Sequence, residues 1–246
     1  MRINYRNLNE RSPNAAKRNP GSVLFSVKPP QTEAELLNYT KAIAGKSLAE
    51  LANIAGIKAP ENLLRAKGWT GQLLECFLGT TAGNKAAPDF SHLNIELKTI
   101  PINANGQPKE TTYVCVAPLM KHVQLQWRDS IVYQKLKRVL WVPVQADPAI
   151  RVPERRIGMA ALWSPTPEQE KILQQDWEEH MEKIARGTVE TITAHQGMYM
   201  QIRPKAANSK ALTTAIGPDG KIIQTLPRGF YLRTQLTRQI LAMAYV

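Results

Sequence analysis

The chain has 246 residues, 43% hydrophobic and 21% charged, which suits one large globular domain or two small ones. Lys and Arg number 32 against 20 Asp and Glu, a formal charge of +12 that points to a polyanionic partner, nucleic acid before an anionic membrane surface. Composition excludes a membrane span of roughly 20 apolar residues, lipidation signals and zinc-ligand spacing among the four histidines, and it leaves Cys76 and Cys115 as buried thiols of a reducing compartment.

Residues 1–29 are polar, basic and rich in Asn and Pro, with Arg2, Arg6, Arg11, Lys17, Arg18 and Lys28 set against Glu10 alone. They lack the apolar centre of a signal peptide and read as a disordered arm, either a passive tail or a DNA contact. Ordered structure is expected from about residue 30. Thr32-Glu33-Ala34-Glu35 has the form of a capping box, followed by a helical stripe of Leu36, Tyr39 and Ile43 and a stop at Gly45. Ser47-Leu48-Ala49-Glu50 repeats the box before Leu51, Ile54 and Gly56, so two short helices run in succession.

Gln72–Leu78 reads as a third helix ended by Gly79, with Leu73, Leu74, Phe77 and Leu78 buried. Glu75 is its only charge. A carboxylate among apolar neighbours either finds a partner or a metal or reaches out to water. A polar loop, Gly79–Lys85, leads to Pro88-Asp89.

The stretch from Asp89 to Lys98 organises the rest. On a strand, residues two apart share a face, so Glu96 and Lys98 face one way while Ile95 and Leu97 face a core. Asp89 precedes Glu96 by seven residues and can fold back beside it. Two carboxylates at one spot repel unless a hard divalent cation joins them, and oxygen ligands suit Mg²⁺. A lysine alongside can orient a water or hold a phosphate, which fits metal-assisted phosphodiester hydrolysis. Taken alone, Asp-x₆-Glu-x-Lys is short and loose, and reads more readily as an ordinary amphipathic strand with a solvated Glu/Lys face.

A turn is expected at Pro101 and Asn105-Gly106, then strands at Tyr113–Pro118, Val139–Val144 (central, being almost wholly apolar) and Ile157–Trp163. Lys135, Lys137 and Arg138 form a basic cluster, a phosphate contact or a solvated run. Thr166 caps a long helix to Arg186, stopped by Gly187. Its acids Asp176, Glu178, Glu179 and Glu182 read as solvated or as facing a protein. Strands at Met198–Arg203 and Lys221–Leu226 flank a turn at Gly217–Gly220, and an amphipathic helix closes the chain over residues 235–244. Between Tyr199 and Arg238, Arg203, Lys205, Lys210, Lys221, Arg228, Arg233 and Arg238 face only Asp219, a composition that suits phosphates and base edges.

At Lys67-Gly68-Trp69, Leu73-Leu74-Glu75, Asp89, Glu96-Leu97-Lys98-Thr99, Lys135–Trp141, Arg203–Asn208 and Leu226–Tyr231 the chain resembles the MutH family, strand-nicking endonucleases of methyl-directed DNA mismatch repair. The resemblance spans roughly residues 30–240 in matching order and spacing, and the arm before Pro30 lies outside it. It implies an α/β, restriction-endonuclease-like fold. That fold is a mixed β-sheet flanked by helices, with a catalytic lobe of about 30–145 and a DNA-reading lobe of about 146–246 forming a DNA-binding cleft. It implies Mg²⁺-dependent nicking of the unmethylated strand at hemimethylated or unmethylated GATC, activation by MutL and MutS, and a cytoplasmic monomer without a membrane role. It also implies Asp89, Glu96 and Glu75 around Mg²⁺, Lys98 at the attacking water, and Lys67 and Lys135 as further cations of the site. Arg203, Lys205, Arg228 and Tyr231 are placed in the base-reading lobe, Tyr231 near the adenine whose methylation is sensed. Two other functions are compatible with the sequence: a GATC restriction-type enzyme that cuts both strands, and a DNA-binding protein that does not cleave.

Overall fold

The computed structural model describes residues 26–63, 66, 68–81, 87–120 and 125–244. Helices are α1 (Glu33–Ile43), α2 (Leu48–Ile54), α3 (Trp69–Leu78), α4 (Ile131–Leu136), α5 (Pro167–Ala185) and α6 (Thr234–Ala244). Strands are β1 (Glu96–Ile102), β2 (Thr112–Val116), β3 (Val139–Gln145), β4 (Ala161–Trp163), β5 (Met200–Pro204), β6 (Thr213–Ile216), β7 (Ile222–Thr225) and β8 (Arg228–Leu232). The fold is mixed α/β, with small sheets flanked by helices, as the resemblance implies.

Two compact units form, each from two stretches of chain, whereas the sequence suggests a single division near residue 145. One unit runs to Lys109 and adds Val139–Trp163; the other joins Glu110–Arg138 to the chain from Ser164 onward.

In the first unit the sheet order is β1-β3-β4, parallel between β1 and β3 and antiparallel between β3 and β4. The apolar strand β3 is central, as its composition predicts, and every residue from Val139 to Val144 is buried. Leu97, Leu140, Val142 and Val144 pack with Leu36, Ile43, Leu51, Leu73, Leu74 and Phe77 of the helices. Burying side chains of this size contributes about 1.5–3 kcal/mol each. Helix starts follow the local chemistry. The Thr32 hydroxyl accepts from the Glu35 N–H, and Ser47 with Glu50 completes a reciprocal capping box. Gly79 ends α3 at φ +71, and a Cβ there would stand 2.7 Å from the Lys28 carbonyl oxygen, so both conformation and space require glycine. The expected turn at Pro101 is not a turn: β1 continues through it to Ile102. As an edge strand, β1 tolerates a residue with no N–H to donate, and the Pro101 carbonyl accepts from Lys109 N–H. The strand expected from Ile157 shortens to Ala161–Trp163, preceded by an isolated bridge between Val144 and Ile157.

In the second unit β8 lies between β2 and β5 in an antiparallel sheet, and β6 and β7 form a separate ribbon. The ribbon turns at Gly217–Gly220 as expected. Helix α5 opens on a Thr166–Gln169 capping box and buries Leu173, Trp177, Met181 and Ile184 at helical spacing. Asp176 does not join its solvated acids. It is buried, and its carboxylate accepts from the N–H groups of Met198, Tyr199 and Met200 at 2.7, 2.6 and 2.8 Å, which fixes the entry to β5. Cys76 and Cys115 are buried thiols not joined in a disulfide, as read from the sequence. Among the described residues no helix is long and apolar enough to cross a membrane.

Candidate active site and nucleic-acid interface

The acid-rich stretch begins where Asp89 leaves the loop before β1. Phe90 and Ile95 exchange backbone hydrogen bonds, N–H of Phe90 to O of Ile95 at 2.9 Å and the reverse at 3.3 Å. Asn94 turns the chain between them at φ 55, and is the one non-glycine with positive φ among the described residues. That tight return brings Asp89 alongside β1. Its Oδ2 accepts the Leu97 N–H at 2.8 Å, on the side of β1 that has no neighbouring strand in this sheet. Leu97 itself points into the core, so Glu96 and Lys98 occupy the opposite face. Glu96 is only 2% exposed, and the Lys98 ammonium donates to its Oε1 at 2.6 Å. The register places Glu96 beside Val139 and Lys98 beside Trp141, whose buried indole is in edge contact with Trp163.

A buried carboxylate is costly to hold charged without compensation, and the Lys98 ammonium supplies part of it. Asp89 and Glu96 offer hard oxygen donors, with no sulfur or imidazole among them. Mg²⁺ typically binds one or two carboxylates and fills its shell with water and substrate phosphate, so the donor set fits that ion better than calcium or zinc. Among the described residues no group of three or more His, Cys, Asp and Glu is gathered to hold an ion. Glu75 is half-buried on α3, which packs against β1 in the same unit. Lys67 lies outside the described residues.

In the second unit the sequence-assigned cations part company. Arg203 on β5 and Lys205 just beyond it are exposed and each meets an aromatic ring. The Arg203 guanidinium carbon lies 5.8 Å from the Tyr231 ring centroid, and Lys205 Nζ lies 4.1 Å from that of Tyr113. The two rings touch edge to face, 5.3 Å between centroids, because Tyr113 on β2 is the register partner of Tyr231 on β8. Arg203 Nη1 also donates to the Thr111 hydroxyl at 3.1 Å. Burial pushes the Tyr113 phenol up to about 12, and it raises the Tyr231 phenol against the opposing pull of Arg203. Both hydroxyls thus remain protonated donors at neutral pH.

Arg228 does not share that surface. It is 6% exposed, with Nη2 on Glu190 Oε2 and Nη1 donating to the Ile192 carbonyl, both at 3.3 Å. Arg233 likewise spends Nη1 on the carbonyls of Ala194, His195 and Gly197. Lys135 sits half-buried in the last turn of α4, and its neighbours Lys137 and Arg138 bond Gln134 and Ser164. Tyr113 is the member of the aromatic–cation set that sequence reasoning passed over. Its own segment signals only a strand, and its role depends on a partner far along the chain.

The family profile described as "DNA mismatch repair enzyme MutH" matches residues 78–176, a span that contains Asp89, Glu96, Lys98 and Lys135. The chain is 56% identical over 216 residues to the DNA mismatch repair protein MutH of Shewanella oneidensis, covering 88% of this chain and 97% of that protein. It is also 56% identical over 217 residues to the protein of the same name from Vibrio parahaemolyticus, covering 88% of this chain and 96% of the relative. A Shewanella sp. relative of that name is 54% identical over 220 residues, 89% of this chain and 99% of its own.

Proposed function

The chain belongs to the MutH family of DNA mismatch repair enzymes, and from that premise we propose that it is a Mg²⁺-dependent endonuclease nicking the unmethylated strand at hemimethylated or unmethylated GATC sites. The observation that carries the reading is the pair of carboxylates drawn to one strand beside a lysine: Asp89 on the Leu97 N–H and Glu96 on the Lys98 ammonium. Asp89 and Glu96 would hold the ion. When bound, Mg²⁺ supplies positive charge at the scissile phosphate, where negative charge grows as the P–O bond breaks. Lys98 keeps Glu96 in place and presents N–H groups that orient the attacking water toward phosphorus. Lys98 also offsets one of the two carboxylate charges, which lowers the repulsion met by an incoming phosphodiester. Glu75 acts on this group from α3 through water, while Lys67 and Lys135 contact the DNA backbone.

Reading of the site falls to the paired rings and cations of the second unit. Adenine N6 lies in the major groove, so methylation there changes both shape and donor pattern. Tyr231 is placed to sense that methyl, Arg203 and Lys205 to bond base edges and phosphates, and Arg228 to support β8 from the interior. MutS and MutL would activate a monomer in the cytoplasm.

The reading is tested on supercoiled plasmids with and without GATC, in Mg²⁺ or EDTA, with and without MutL. Nicks confined to GATC, requiring Mg²⁺ and stimulated by MutL, are expected. Binding to GATC with no nick under any condition would point to a non-cleaving DNA-binding protein, and cutting of both strands without MutL to a restriction-type enzyme.

A further inference from the structure

We propose that Gly229 is a positioning residue for DNA reading: its lack of a side chain lets the Tyr113 ring lie across β8 and hold Lys205 in place. The inference rests on the reading of this sheet face as the GATC-recognition surface.

Gly229 lies in the central strand, paired with Val116 on one side and Arg203 on the other. Its backbone is not left-handed, unlike that of Gly187, Gly197 or Gly220, so conformation does not demand glycine there. Space does. A Cβ built on Gly229 would stand 2.9 Å from Tyr113 Cε2, 3.2 Å from the Cys115 carbonyl oxygen and 3.3 Å from Lys205 Cδ. The first and last of these belong to the two members of one cation–aromatic pair. Gly229 therefore sits under the joint between ring and lysine. Residues two apart share a strand face, so Tyr231 stands beside it on that face.

Irregular pairing explains why the ring reaches this far. Tyr113 pairs with Tyr231, yet Cys115 pairs with Phe230, leaving Val114 as an extra residue on β2. A bulge of this kind bends a strand and re-aims its side chains. Tyr113 leans over the neighbouring position, and only a residue without a Cβ accepts it.

The consequence is preorganisation. A lysine stem has several rotatable bonds and loses freedom when it binds. Lys205 held against Tyr113 has already lost part of it. Tyr113 in turn supports the edge of Tyr231, over which Arg203 lies. One missing methyl group thus sets the pose of four side chains.

Gly229→Ala is the direct test, because the new methyl meets a ring that can turn before it meets backbone. Gly229→Ala, Tyr113→Ala and the double variant are compared with wild type. The readouts are binding to hemimethylated, fully methylated and scrambled duplexes, and the thermal midpoint. Gly229→Ala is expected to fold, to lose about tenfold in preference for hemimethylated over fully methylated GATC, and to change that preference less than about twofold when Tyr113 is already Ala. Wild-type preference in Gly229→Ala, or an equal loss in both backgrounds, would overturn the assignment. Should Gly229→Ala fail to fold, removal of the ring in the double variant is expected to restore folding, and continued failure to fold would overturn it too. A wild type that binds scrambled DNA as tightly as GATC would instead sink the recognition reading itself, and this proposal with it.

Discussion

The Asp89 carboxylate accepts the main-chain N–H of Leu97 at 2.8 Å, so one candidate metal ligand also closes the open edge of the strand that carries the other. Structure and charge can be separated at this residue. Asp89→Asn keeps an oxygen that can accept the Leu97 N–H and removes the negative charge. It is expected to leave the thermal midpoint nearly unchanged and to abolish nicking. Asp89→Ala is expected to abolish nicking as well and to cost about 1–2 kcal/mol of stability, read as a lower urea midpoint at unchanged slope. Nicking at the wild-type rate by Asp89→Asn would remove the residue from the active site.

Arg228 and Lys205 are both cations of the basic C-terminal segment, and opposite outcomes are expected for them. Lys205→Ala should leave stability within about 0.5 kcal/mol and reduce the salt dependence of DNA binding by about one unit of log–log slope. Arg228→Ala should cost about 1–3 kcal/mol, because it empties a buried position and takes the guanidinium donor from the buried Ile192 carbonyl, while Glu190 at the other end of the ion pair is exposed. Its salt slope, measured on the folded fraction at low temperature, should match wild type. A reduced slope with unchanged stability would return Arg228 to the DNA surface.

These residues show how far the sequence reaches. Caps at Thr32, Ser47 and Thr166 are legible because both partners lie within four residues. Glu96 and Lys98 on one face follow from strand periodicity alone. The return of Asp89 is suggested by spacing, but the atom it bonds is not, since the backbone N–H of Leu97 carries no sequence signature. Strand β8 is hidden by Pro227 and Gly229, whose propensities oppose a strand; its place between β2 and β5 comes from tertiary pairing. Burial of Arg228 and Asp176 is illegible for the same reason: a charge in a polar segment looks solvated until its distant partners are known.

Tyr231→Ala is expected to weaken discrimination between hemimethylated and fully methylated GATC by about tenfold while lowering overall affinity less. The comparison requires both duplexes at one salt concentration. Equal loss on the two substrates would assign Tyr231 to general contact and not to methyl sensing.

His180 gives the fold a pH dependence of known sign. It is 1% exposed, with Nε2 on the Met200 carbonyl at 3.3 Å and Nδ1 buried without a hydrogen-bond partner. Burial is the main cause that lowers its pKa below the ordinary imidazole value near 6.5, against the pull of Asp176 and the Met200 carbonyl. The unfolded chain then takes up the proton first as pH falls. The stability contributed by neutral His180 is complete above about pH 6.5 and is lost as pH falls through the depressed folded value. His180→Gln is expected to flatten the slope of unfolding free energy in the range just below about pH 6.5 relative to wild type. Identical slopes in the two proteins would show that His180 titrates alike in both states.

The central claim is that Asp89, Glu96 and Lys98 perform Mg²⁺-dependent strand nicking at GATC. The most direct test is single-turnover cleavage of a hemimethylated GATC duplex, each strand carrying its own label, by wild type, Glu96→Gln and Lys98→Ala with binding measured on the same samples. Cleavage of the unmethylated strand alone by wild type in Mg²⁺, and loss of at least about 100-fold in both variants at near-normal DNA affinity, is the predicted result. Wild-type cleavage rates in either variant, or strand-selective nicking by wild type in EDTA, would contradict it.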